Sequence, residues 1–238
     1  MIVQESHYWY PKRDNFQMSE KSKLRIVLWR HGQTDWNVEN RYQGHSDIPL
    51  NQVGHYQVNH AAKVLAGMNP SRIIASDLIR AKQTAQALVD LTGIKLEIDA
   101  DLRETNGGNW EGKTGEINRQ EDGERFKQWM FGEDVKAGEI GESRSEVAKR
   151  ARAAIDRGIA EATGTIIFAT HGGTSRALLG SILEMPFDKW ATLGGLSNAS
   201  WSVLEPNSFT KIGWTLVEHN AGSIPEPVFG NESQEAEA

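Results

Sequence analysis

Two apolar runs that each end in a histidine–glycine pair constrain this chain most. Leu24-Arg25-Ile26-Val27-Leu28-Trp29 runs into Arg30-His31-Gly32, and Thr165-Ile166-Ile167-Phe168-Ala169-Thr170 runs into His171-Gly172-Gly173. Each run has the length and β-branched content of a buried strand. Each delivers an imidazole where the strand opens into a loop. Segments between and after them alternate between helical and strand patterns. That alternation predicts an α/β three-layer sandwich: a mostly parallel central sheet, helices on both faces and one antiparallel strand. In such sheets ligands bind beyond the carboxyl ends of the strands, where both histidines fall.

Periodicity places the other elements. A helix is expected over 52–65, with Val53, Tyr56, His60, Val64 and Leu65 on one face and Gly67 and Pro70 ending it. Strands follow at 72–76 and 94–98, flanking a helix over 78–91 that Asp77 would cap and that turns Leu78, Ala81, Ala85, Leu88 and Leu91 inward. A long helix over 142–162 presents Val147, Ala151, Ala154, Ile155 and Ile159. Another covers 174–183, and strands at 199–204 and 211–217 form a hairpin. Residues 105–142 are Gly-rich, charged and irregular, with one short helix near 125–130, and read as a flap inserted into a single domain over 23–221. Residues 1–22 read as a flexible arm carrying the aromatic cluster Tyr8-Trp9-Tyr10, and 222–238 as a disordered acidic tail.

Composition narrows the function. A net charge of -6 without a dense Lys/Arg run argues against nucleic acid. No apolar run approaches a membrane span, and the first twenty residues lack the apolar core of a signal peptide. Cysteine is absent, which removes thiolate chemistry and fits a reducing cytoplasm. Neither nucleic acid nor a membrane is an expected partner; a homodimer is left open.

A neutral imidazole is a good nucleophile toward phosphorus, which singles out His31. Arg30 and Arg80 offer planar forks to phosphate oxygens. His171 stands before a helix start, so Gly172 and Gly173 present backbone N–H groups to the same anion. Glu104 follows the 94–98 strand and is the candidate proton donor, provided burial or nearby phosphate charge keeps it protonated. Each residue has a plainer explanation. Arg80 would pair with Asp77 across one helical turn, Glu104 would be a solvated loop charge, and Gly172-Gly173 only a turn. His7, His45, His55, His60 and His219 read as ordinary polar residues. Coincidence at several strand ends at once favours a shared site. A zinc centre from His31, His171, Asp35 and Glu104 lacks HExxH or His-x-His spacing, so no metal is expected.

Four ordered motifs carry a resemblance. They are 30–37 (RHGQTDWN) continued by 41–50 (RYQGHSDIPL), then 75–85 (ASDLIRAKQTA), 102–112 (LRETNGGNWEG) and 170–173 (THGG). Together they resemble the histidine phosphatase superfamily, in the branch that contains cofactor-dependent phosphoglycerate mutases, over about residues 24–217. The resemblance implies that His31 becomes a phosphohistidine and that Arg30, Arg80 and His171 hold the phosphoryl group. Glu104 would serve as acid and then base. Asn37, Gln43, Gly44, Arg103 and Gly172 would contact phosphate or substrate. Neither metal nor organic cofactor would be required. Mutases of this family carry a longer, more basic insert with an Arg-Arg-Ser signature. Here 113–142 holds five basic and eight acidic residues and no Arg-Arg pair, which favours hydrolysis over a bisphosphate-primed mutase. Segments 190–201 and 214–220 resemble actinobacterial glucosyl-3-phosphoglycerate phosphatases. A non-catalytic phosphate-binding module is the remaining alternative, and no catalytic position of the motif set is lost.

Overall fold

A computed structural model describes residues 24–222. The expected N-terminal arm and the acidic tail from 223 onward lie outside the described residues. In chain order the elements are β1 (Arg25–Arg30), α1 (Asp35–Val38), α2 (Gln52–Ala66), β2 (Pro70–Ala75), α3 (Ile79–Thr92), β3 (Leu96–Ile98), α4 (Gly115–Glu121), α5 (Gly123–Met130), α6 (Arg144–Ile159), β4 (Thr165–Thr170), α7 (Gly172–Ile182), β5 (Trp201–Pro206) and β6 (Trp214–Ala221).

The strands form one sheet in the order β3-β2-β4-β1-β5-β6. The pairs β3/β2, β2/β4 and β4/β1 are parallel, and β5 runs antiparallel to both β1 and β6. One reversed strand in a parallel sheet is the α/β architecture expected. Alternation along the strands sorts the core into two layers. Val27, Trp29, Ile73, Ala75, Ile167 and Ala169 pack on one face with Val58, Ala62 and Leu65 of α2 and Ala85 and Leu88 of α3. Ile26, Leu28, Ile74, Ile166 and Phe168 pack on the other with Ala151, Ala154 and Ile155 of α6 and Leu178, Leu179 and Ile182 of α7. All six residues of β4 are buried, as its continuous apolar run requires.

Four expectations need correction. The α2 face is rotated: Gly54, Gln57, Val58, Ala61, Ala62 and Leu65 are buried, whereas Val53, Tyr56, His60 and Val64 lie outward. Small residues set this face. A Cβ on Gly54 would sit 2.1 Å from the Gln33 carbonyl oxygen, so the helix meets the loop after β1 through bare backbone. Gln57 Oε1 accepts from the Gln33 amide at 2.9 Å in the same contact. Next, Asp77 does not cap α3. Leu78 is the N-cap without a side-chain bond, and Asp47 from a distant loop accepts from the Ile79 amide at 2.5 Å instead. Leu91, expected inward, is exposed. Finally, the segment 105–142 is more ordered than its composition suggests. It holds α4 as well as α5 around its own small core of Trp110, Phe126, Trp129 and Ala137. Thr114 caps α4 by accepting from the Ile117 amide.

Candidate active site

β1 and β4 are sheet neighbours with Arg30 paired to Thr170. The next residue of each strand is therefore a histidine at the same edge, and the His31 and His171 rings sit with centroids 5.3 Å apart. The His31 amide donates to the Thr170 carbonyl at 3.0 Å, and its carbonyl accepts from the Ala199 amide at 3.0 Å. His31 Nδ1 lies 2.7 Å from the Gly32 carbonyl oxygen. A carbonyl only accepts, so this bond assigns the proton to Nδ1 and leaves the lone pair on Nε2. Burial holds the His31 pKa well below the usual histidine value, and the Arg80 and Arg30 charges push it further down against the opposing pull of the Gly32 carbonyl.

His171 is fully buried, and neither ring nitrogen has a hydrogen-bond partner among the described residues. Burial lowers its pKa well below the ordinary value, followed by the charge of Arg80 and the repulsion a protonated His31 would exert. It is the N-cap of α7, so Gly172 occupies the first helical position, where the helix offers its amide no acceptor. A Cβ on Gly172 would lie 3.4 Å from Arg30 Nε, which places that guanidinium beside the helix start. Arg30 Nη1 donates to the Leu196 carbonyl.

Arg80 comes from the first turn of α3 and is completely buried. Its Nη1 and Nη2 donate to the Ser46 and Gly44 carbonyls, both at 2.8 Å, and Nε has no partner among the described residues. Burial lowers its pKa to about 10, opposed by the Glu104, Asp47 and Glu111 carboxylates, so it stays cationic at neutral pH. The expected alternative, an Arg80–Asp77 pair, is not formed: Asp77 takes Arg103, with Nε at 2.7 Å and Nη2 at 2.5 Å. The guanidinium of Arg103 is thereby committed to the entrance of α3.

Glu104 reaches the N-terminus of α7. Its Oε1 accepts from the Thr105 and Thr174 amides at 2.8 and 3.0 Å, and its Oε2 from the Gly173 amide at 3.0 Å. The Gly173 amide, expected on the substrate anion, is thus used by Glu104, and Gly172 alone remains at the helix entrance. Asn37 closes a capping box with Thr34, and its Oδ1 also accepts from Asn198 Nδ2 at 3.2 Å. Gln43 Oε1 accepts from Thr34 Oγ1 at 3.0 Å. Gly44 has φ +49, and a Cβ there would lie 2.1 Å from Glu111 Oε1, so only glycine serves.

Sequence reasoning missed the residues that organise this set. Glu111 accepts from the His45, Ser46 and Gly107 amides at 2.8, 3.0 and 3.0 Å and from Ser46 Oγ at 2.8 Å. It fixes the loop whose carbonyls grip Arg80. Its place in the 102–112 motif was the available signal. Asn198 Nδ2 lies 3.3 Å from the His31 carbonyl, and the Gly32 amide donates to Thr84 Oγ1 at 3.2 Å. His45, read as an ordinary polar residue, places Nε2 2.8 Å from the Glu104 carbonyl. Among the described residues, no group of three or more His, Cys, Asp or Glu side chains is arranged to hold a metal ion, and no helix is long and apolar enough to cross a membrane.

Two neutral imidazoles, two guanidinium groups, a helix N-terminus and a carboxylate thus share one edge of the sheet. Such a set can bind a tetrahedral dianion, attack it and exchange a proton with its leaving group. The family model described as histidine phosphatase superfamily (branch 1) matches residues 26–222. A glucosyl-3-phosphoglycerate phosphatase of Mycobacterium tuberculosis is 39% identical over 215 residues, covering 84% of this chain and 95% of that protein. A probable phosphoglycerate mutase GpmB of Yersinia enterocolitica is 35% identical over 164 residues, 68% of this chain and 76% of that protein. The solved structure of a mycobacterial glucosyl-3-phosphoglycerate phosphatase in complex with VO3 matches with a TM-score of 0.75 and 38% identity, covering 83% of this chain and 98% of that one.

Proposed function

The chain belongs to the histidine phosphatase superfamily, branch 1, and from that premise we propose that it hydrolyses a phosphomonoester through a phosphohistidine on His31. One observation carries the reading: the β1/β4 register sets His31, with its lone pair on Nε2, 5.3 Å from a second buried imidazole at the mouth of α7. In the first step, Nε2 attacks phosphorus and the ester P–O bond breaks. Glu104 gives its proton to the leaving oxygen. In the second, water attacks phosphorus, Glu104 takes a proton from it, and the N–P bond returns its electron pair to Nε2. Arg30, Arg80, His171 and the Gly172 amide meet the oxygens of the transferred group.

For the substrate we propose glucosyl-3-phosphoglycerate or a related phosphoglycerate or sugar phosphate. The M. tuberculosis relative is named for that substrate, and the likeness extends over nearly its whole length. Asn37, Gln43 and Gly44 line the phosphate side. Residues 105–142 form a flap within the single domain that shapes the rest of the pocket, and Arg103 stands at its base. The acidic balance of 113–142 supports transfer to water over return to a second phosphoglycerate. No metal or organic cofactor enters these steps, and every residue invoked comes from one chain, so a homodimer is not needed for chemistry. The lack of cysteine and the metabolite substrate support a cytoplasmic enzyme.

A screen of phosphorylated metabolites for free-phosphate release tests the proposal. Glucosyl-3-phosphoglycerate is expected to have the highest kcat/KM, with release abolished in His31→Ala. Undiminished release by that variant contradicts the mechanism, and a different leading ester contradicts the substrate. The likeness to GpmB motivates a second assay for interconversion of 2- and 3-phosphoglycerate primed with the bisphosphate. Interconversion faster than phosphate release would favour the mutase. Phosphate binding with no release at all would favour a binding module.

A further inference from the structure

Arg150 lies on α6, 46 positions from Glu104 in sequence, and is used in an uncommon way. Its Nη1 donates to the carbonyls of Asp101 and Arg103, both at 2.7 Å, and its Nη2 donates to the carbonyl of Glu104 at 2.8 Å. Nε and Nη2 also reach Glu142 Oε1 and Oε2 at 2.7 and 2.8 Å. Glu142 in turn accepts from the Asn106 amide at 2.8 Å. One guanidinium and its carboxylate therefore fix the backbone on both sides of Glu104. His45 Nε2, 2.8 Å from the Glu104 carbonyl, completes the grip and must carry its proton there.

An ion pair alone would need only Glu142. Instead the planar fork of a largely buried arginine is spent on three main-chain carbonyls of the loop that aims a carboxylate at the helix of His171. Without the fork, Glu104 would keep its side-chain contacts to α7 but lose the support that fixes where its Cα sits. Proton transfer depends steeply on such placement; a displacement of about 1 Å costs on the order of a hundredfold.

We infer that Arg150 is the positioning residue for the proton donor, holding Glu104 through its backbone, with His45 as the second contact. This rests on the reading of Glu104 as the acid. The test compares kcat/KM on two esters that differ in their need for a proton. p-Nitrophenyl phosphate releases p-nitrophenolate, a stable anion, whereas 3-phosphoglycerate releases glycerate through an alkoxide that needs a proton. Arg150→Met is expected to lose about 10- to 100-fold on 3-phosphoglycerate and less than about threefold on p-nitrophenyl phosphate. Arg150→Lys, which keeps the charge without the fork, is expected to show the same selectivity and serves if the methionine variant does not fold. Combined with Glu104→Gln, Arg150→Lys should add no further loss on 3-phosphoglycerate. Equal losses on both esters, or a lysine variant with the parent ratio, would overturn the inference. Glu104→Gln alone separates the two claims. If it loses equally on both esters, the acid reading fails; if it is selective while the Arg150 variants are not, only the positioning role fails.

Discussion

His31 Nδ1 donates to the carbonyl oxygen of Gly32 at 2.7 Å, and this one bond leaves the lone pair of the ring on Nε2. The ring is buried among cationic groups that disfavour its protonation, so the neutral tautomer that the proposed attack on phosphorus needs is already set. His171 shares that environment at 5.3 Å.

The two buried histidines make stability depend on pH with a definite sign. Both have folded-state pKa values far below the unfolded value, so the unfolded chain binds more protons between the two. Their contribution is complete above about pH 6.5 and is lost as pH falls through that window. Between pH 6 and 5, denaturant titrations should show the unfolding free energy falling as pH falls, with both histidines contributing. His171→Gln should flatten that slope; an unchanged slope would show that His171 does not stay neutral.

Glu111→Gln tests the support of Arg80. The amide keeps the shape but replaces an acceptor-only group with one that presents N–H to the backbone donors of His45, Ser46 and Gly107. A loss of about 1–3 kcal/mol in stability is expected by thermal or chemical melts. Because the loop that holds Arg80 loosens, KM for phosphomonoesters and the Ki of inorganic phosphate should both rise, by about tenfold. An unaltered phosphate Ki would argue that Arg80 is held without Glu111.

Gly54→Ala tests the contact that rotates α2. The added methyl meets the Gln33 carbonyl oxygen at 2.1 Å, with backbone on both sides. Destabilisation of about 1–3 kcal/mol is expected, accompanied by lost turnover, since Gln33 directly follows His31-Gly32. Wild-type melting and turnover would contradict the close approach.

How much of this the sequence shows differs by element. The sheet and the two histidines are readable because buried parallel strands leave continuous apolar runs, and each run ends at the chemistry. The α2 face is not, because hydrophobicity points to Val53, Tyr56 and Val64, whereas the packing is decided by the smallness of Gly54, Ala61 and Ala62. Glu104 is readable from its motif, but its seat on α7 depends on a contact 69 and 70 residues away. Arg150 carries no local signal at all. In sequence it resembles Arg152, which pairs with Asp156 one helical turn on at the surface. Only the fold sets Arg150 behind the loop of Glu104.

Trapping the covalent intermediate tests the central claim most directly. The protein would be mixed with a phosphoryl-labelled ester, quenched in alkali during turnover and mapped by peptide mass spectrometry. The account predicts an alkali-stable, acid-labile phosphoryl group on His31, absent in His31→Ala and accumulating when Glu104→Gln slows attack by water. Label on any other residue, or full turnover with no covalent label under conditions that preserve phosphohistidine, would contradict it.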